Sequence, residues 1–158
     1  MKRFFVSSTV GGLLAISATC AFATDTVGAV AILGGSPFAV ANYGINVVKG
    51  VAILSSSDDG KSTNVIVKIS GLKPGTTHIG HVHGGTCPQL AVGTILQNLT
   101  PVTVDEYGRG SSQTKIPADM HGLNDCGWWI AVHEGPENTS PQSPAVAVGS
   151  VIIDRFSR

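Results

Sequence analysis

The apolar residues of this chain fall in short Val- and Ile-rich runs separated by glycine-centred breaks, and beyond the N-terminal segment no stretch keeps a 3.6-residue apolar period. Such runs suit strands and leave a helix no continuous face to bury. The predicted strands are Val27 to Leu33, Ile45 to Leu54, Asn64 to Ser70, His78 to His83, Gly93 to Leu99, Val102 to Val104, Gly110 to Ile116, Trp128 to His133 and Ala145 to Ile153. Asp59-Gly60 reads as a hairpin turn, Pro74-Gly75 as a turn before the histidine-bearing run, and Asp105 to Gly108 as a third tight reversal. About eight strands at this spacing predict an all-β fold, a Greek-key antiparallel barrel or sandwich, with helix nearly absent.

The first residues read differently. Lys2 and Arg3 precede an uncharged stretch from Phe4 to Ala18, and Ala21-Phe22-Ala23 is a small-x-small cleavage site. Met1 to about Ala23 is therefore expected to be a secretory signal peptide, and residues 24–158 one domain of a periplasmic or secreted protein. The apolar stretch is shorter than the roughly 20 residues of a spanning helix, and no later segment looks like a membrane span. Only 13% of the 158 residues are charged, against a usual share of about 25%. Without Lys2 and Arg3 the 10 basic residues fall to 8 against 10 acidic, a net of −2. That balance gives no electrostatic reason to expect nucleic acid or an anionic membrane as partner. Cys20 leaves with the signal, and in an oxidising compartment the remaining Cys87 and Cys126 are expected to pair.

In a strand, residues two apart share a face, so His81 and His83 point one way and His78 the other. His81 and His83 then form a chelating pair for which His133, in Ala131-Val132-His133-Glu134-Gly135, is the natural third ligand. An H-x-H on its own is also found as a plain polar strand face. His78 is expected to be structural, hydrogen-bonding backbone beside the site, and His121 to be exposed in its loop. If the two histidine strands pair antiparallel with His81 opposite His133, Cys87 falls opposite Gly127 and next to Cys126. One register thus gathers three histidines and allows a Cys87–Cys126 disulfide. Trp128 and Trp129 are adjacent, so one ring should enter the core and the other face outward or cover the site. Pro136 to Pro144 reads as a surface loop or a rim over the metal. Asn98-Leu99-Thr100 and Asn138-Thr139-Ser140 fit the glycosylation pattern.

With these motifs the chain resembles the copper/zinc superoxide dismutase superfamily. Gly71 to His83 is similar to the family's G-L-x-x-G-x-H-x-x-H-x-H signature, Val132-His133-Glu134 to its V-H-E segment, and Val102-Thr103-Val104-Asp105 with Gly108 to its V-T-A-D-x-x-G turn. The resemblance implies an eight-stranded Greek-key barrel, copper ligation by His81, His83 and His133, and a structural role for His78. It also implies differences. Gly84 to Pro101 holds no His or Asp, and Asn98 stands at the position of the family's zinc-binding Asp, so no zinc site is expected. Ala145 stands where the family has its superoxide-guiding Arg and Val148 where it has a Cys, leaving Cys126 as a relocated partner for Cys87. The segment His81-Val82-His83-Gly84-Gly85-Thr86-Cys87 is similar, too, to small exported CHRD-type proteins.

The leading functional expectation is dismutation of superoxide at one three-His copper site. Lys115 or Arg109 is a candidate for steering the anion. Copper binding or storage without turnover, or a CHRD-like envelope role, is the alternative. Three-His zinc with an activated water, and histidines that only hydrogen-bond, follow behind.

Overall fold

The computed structural model of the chain describes residues 28–44, 47–57, 59–85, 95–117, 127–135 and 143–153. The expected signal peptide, Cys87, Cys126, His121, the Asn138 glycosylation site and most of the Pro136 to Pro144 loop lie outside them. Nine strands and one helix are present among the described residues: β1 (Gly28–Gly35), α1 (Pro37–Tyr43), β2 (Lys49–Ser56), β3 (Thr63–Ser70), β4 (Thr77–Gly84), β5 (Ile95–Val104), β6 (Arg109–Ile116), β7 (Trp128–His133), β8 (Ala145–Ser150) and β9 (Ile152–Ile153).

Every pairing is antiparallel, in the order β2-β3-β6-β5-β4-β7-β8-β1-β9. Because β1 also pairs with β2, the first eight strands close into a barrel, and β9 adds to β1. The sequence β3-β6-β5-β4 around the wall is the Greek-key crossing. Alternation decides which face of each strand is inside. Ala29, Ala31 and Leu33 of β1, Ala52 and Leu54 of β2, Val65, Val67 and Ile69 of β3, and Ile130 and Val132 of β7 are buried in one core cluster.

Turn chemistry sets the connections. Gly108 closes the β5–β6 hairpin at φ 73°, with its N–H donating to the Asp105 carbonyl at 3.1 Å. The Gly108 carbonyl then accepts from the N–H groups of Gly71 and Leu72 at 2.9 and 3.2 Å, which ties the β3–β4 crossover to that hairpin. Gly71 needs its φ of 84°, and a side chain there would collide with the Val47 carbonyl. The chain thus enters β4, the first histidine strand, from a fixed point.

Three expectations about elements change. The run Ala145 to Ile153 is two strands parted at Val151, β8 paired with β7 and β9 with β1. The separate strands Gly93 to Leu99 and Val102 to Val104 are one strand, β5, with Pro101 in the interval where two β5 residues oppose a single β4 residue. A bulge is where a strand tolerates the missing N–H of proline. The short helix α1 is new: Ser36 caps it by accepting from the Ala39 N–H at 3.1 Å, and Pro37 opens it.

Candidate metal centre

The core-facing residues Val82, Ile130 and Val132 alternate with His81, His83, Trp129, Ala131 and His133, which therefore share the outer face of β4 and β7. That outer face is nevertheless covered. His81, His83 and His133 are 6%, 3% and 6% exposed, and Trp129 and Ala131 are buried with them.

β4 and β7 pair antiparallel as the sequence suggests, but in a different register. His81 lies opposite Ala131 and His83 opposite Trp129, two residues from the register that would set His81 against His133. The observed register makes better use of side-chain size. Ala131 is a small residue opposite His81, and the ring of His133, two residues along on the same face, lies with its centroid 4.9 Å from that of His81. An irregularity between Val132 and His133 in the β7–β8 ladder lies next to this histidine.

The ring centroids of His81 and His133 are 4.9 Å apart, those of His81 and His83 5.6 Å and those of His83 and His133 6.2 Å. One nitrogen from each ring lies within 4.8 Å of the other two, a group that can hold a metal ion. Metal–nitrogen bonds of about 2.0–2.1 Å bring coordinated nitrogens to within roughly 4.2 Å, so a small rotation of the rings suffices to close the cluster on an ion.

A hydrogen bond fixes which nitrogen His133 offers. His133 Nδ1–H donates to the Ser143 carbonyl at 2.7 Å, which leaves Nε2 with its lone pair. His133 Nε2 and His81 Nδ1 are buried and have no hydrogen-bond partner. A buried polar atom left unsatisfied costs about 1–3 kcal/mol, and coordination to a cation relieves that cost. Burial pushes the His81 imidazole down from 6.5 to about 4, with the nearby His133 and His83 rings adding to the shift. The ring is therefore neutral near pH 7, the form in which it donates to a metal.

His78 stands apart from the cluster and holds it in place. It is fully buried opposite Val102; its Nδ1–H donates to the backbone carbonyl of His133 at 2.8 Å, and its Nε2 lies 2.8 Å from the Thr76 hydroxyl. Of the tryptophan pair, Trp128 is half-buried and packs against the barrel core, while Trp129 is buried on the histidine face and covers the site. Trp129 stacks on His83 with centroids 4.0 Å apart and an interplanar angle of 12°. The observed register, which sets His83 directly opposite Trp129, produces this contact.

Tyr43, at the end of α1, is a residue that the sequence patterns do not single out. Its hydroxyl donates to the Glu134 carboxylate at 2.8 Å, anchoring the residue that follows His133. Burial, then the hydrogen bond and charge of Glu134, raise the Tyr43 phenol to about 12. Ser36-Pro37, a cap followed by a helix-opening proline, is the available sequence signal.

The two candidate steering cations lie elsewhere. Arg109 is ion-paired to Asp105 at 3.2 Å at the far end of β5 from His83, whose neighbour is Ile95. Lys115 lies on β6, two strands from β4, opposite Asn64 and near the Asp59 carboxylate. Asn98 is paired with His81 across β4 and β5 and its side chain is exposed. No known protein-family model matches the chain, and no curated protein is significantly similar to it in sequence.

Proposed function

We propose that the chain is an exported copper-binding protein of superoxide dismutase type, with His81, His83 and His133 as ligands to one copper ion. The observation that supports this reading most is the pair of buried, unsatisfied nitrogens, His81 Nδ1 and His133 Nε2, converging within a three-imidazole group. Imidazole suits copper, and copper stands highest among divalent first-row ions in intrinsic affinity. No zinc ion belongs to the proposal.

Bound copper supplies a one-electron couple through which one superoxide is oxidised to dioxygen and a second, taking up two protons, is reduced to hydrogen peroxide. The protein's own part is positional. Ser143 fixes the His133 tautomer, His78 pins the His133 backbone, and Trp129 sets the plane of His83. Superoxide decay faster with copper-loaded protein than with copper-loaded His133→Ala is the expected result.

Copper holding without turnover is the second reading, favoured by the placement of Arg109 and Lys115 away from the histidines. Tight one-to-one copper uptake without faster superoxide decay selects it. Protein that takes up no copper overturns both.

Export through residues 1–23 and a Cys87–Cys126 disulfide belong to the same proposal. Among the described residues, the contact between the two histidine strands nearest the cysteines is the Gly85 N–H donating to the Gly127 carbonyl at 3.3 Å. Cys87 follows Gly85 by two residues and Cys126 immediately precedes Gly127. Closing that end of the ladder is typically worth about 2–4 kcal/mol. Unreduced exported protein should resist alkylation at both cysteines; two reactive thiols contradict the bridge.

A further inference from the structure

The barrel wall formed by β9, β1, β2, β3 and β6 has an outer face whose residues follow from the register. One row runs Ile32, Val51, Lys68, Ser111 across β1, β2, β3 and β6. The next row toward one end is Lys49, Ser70, Arg109, and toward the other Ile152, Val30, Ile53, Ile66. The face is therefore divided, aliphatic over β9, β1 and β2 and cationic at Lys49 and over β3 and β6. Ile32 and Ile152 are 69% and 63% exposed, and Val30 and Ile53 are exposed beside them. An open trough of about 750 Å³ crosses the boundary, lined by Ile32 and Val51 on the aliphatic side, by Lys49 and Lys68, and at its far end by the Arg109–Asp105 ion pair. That volume is within the usual range of small-molecule sites.

The charges are available there. Arg109 is held by Asp105, whereas neither the Lys49 nor the Lys68 ammonium has a carboxylate partner among the described residues. Lys49 lies opposite Ser70, so it is a diagonal neighbour of Lys68, on the order of 7–8 Å away at Cα. Both ammonium groups reach one acidic headgroup from that spacing. The bordering aliphatic stripe spans three strands, about 10 Å, and two rows, about 7 Å, room for one extended hydrocarbon chain.

We propose that this trough binds a single-chain amphiphilic anion, a medium-chain fatty acid, with its carboxylate between Lys49 and Lys68 and its tail running over Val51 and Ile32 and out of the trough toward Val30. One stripe of this width fits one tail, which favours a fatty acid over a two-tailed phospholipid. Net charge conceals the site: a mature balance of −2 says nothing of how the charges are distributed. The trough lies across the barrel from β4 and β7 and is independent of the metal reading.

Calorimetric titration of the full chain with dodecanoate, below its micelle concentration, tests the proposal. The expected result is saturable one-to-one binding, weakened at least about tenfold in Lys49→Gln/Lys68→Gln and in Ile32→Ser, since removing one surface cation near an anion is worth about fivefold. Butanoate and dodecyl maltoside should not bind, for lack of tail and of charge respectively. All three substituted positions are at the surface, so circular dichroism and metal uptake should match wild type. Absence of saturable binding overturns the proposal. So does equal affinity for dodecyl maltoside, which marks a merely apolar patch. A dimer in sedimentation that Ile32→Ser dissociates overturns it as well, because a second copy then covers the face.

Discussion

Within the three-histidine group His83 and His81 differ in their surroundings, and each makes its own prediction. His83 is oriented by the stacked Trp129, so Trp129→Ala should weaken copper affinity about 10–100-fold, the usual cost of losing an orienting neighbour of a ligand. Trp129→Phe keeps a flat ring and should recover most of that loss, as read by competition with a chelator. Metal uptake should also quench Trp129 emission, and Trp128→Phe should leave that quenching in place. His81 carries the pH dependence. Its pKa of about 4 in the fold is below the ordinary 6.5, so above pH 6.5 it is neutral whether the chain is folded or not. Between 6.5 and 4 the unfolded chain takes up the proton and the folded one does not. Metal-free protein should thus lose stability as the pH falls through that window, by up to about 1.4 kcal/mol per pH unit from this group. Urea unfolding of wild type and His81→Gln at several pH values checks the slope, which the substitution should flatten. The histidines themselves are legible in the sequence because H-x-H puts two rings on one face. The stacked Trp129 and the Tyr43–Glu134 contact are not, since each depends on register or on an element outside the pattern.

The elements show why strand content can be read more easily than strand pairing. Trp128–His133 has the bounds expected of it, because glycine and the change from loop to alternating residues mark both ends. Its partner register differs from expectation by two residues. Setting ligand opposite ligand is the simplest arrangement, but three rings converge better when Ala131 faces His81 and His133 approaches diagonally. Helix α1 is invisible to periodicity because seven residues are too few to display a 3.6-residue repeat. The β3–β4 crossover depends on Gly71, whose positive φ and contact with Val47 exclude a side chain. Gly71→Ala should lower stability by about 2 kcal/mol or more in denaturant titration, and it should reduce metal affinity as well, because β4 starts from this point. Gly60 also has a positive φ, 67°, but open space where a side chain would begin, so the same change should cost less there.

For the whole molecule, the barrel provides a rigid wall on which the histidines are displayed outward while Val82, Ile130 and Val132 anchor their strands in the core. Rigidity is what keeps two unsatisfied nitrogens buried together, and it predicts that metal binding stabilises the fold by mass action, by about 2.7 kcal/mol at a free metal concentration one hundred times Kd. Whether this one site takes copper is therefore the decisive property. Titration of the metal-free protein with Cu(II), followed by electron paramagnetic resonance, tests that most directly. The predicted result is saturation at one equivalent with nitrogen hyperfine structure from imidazole ligands, lost in His133→Ala. A protein that shows no saturable copper signal, or the same signal after His133→Ala, contradicts it.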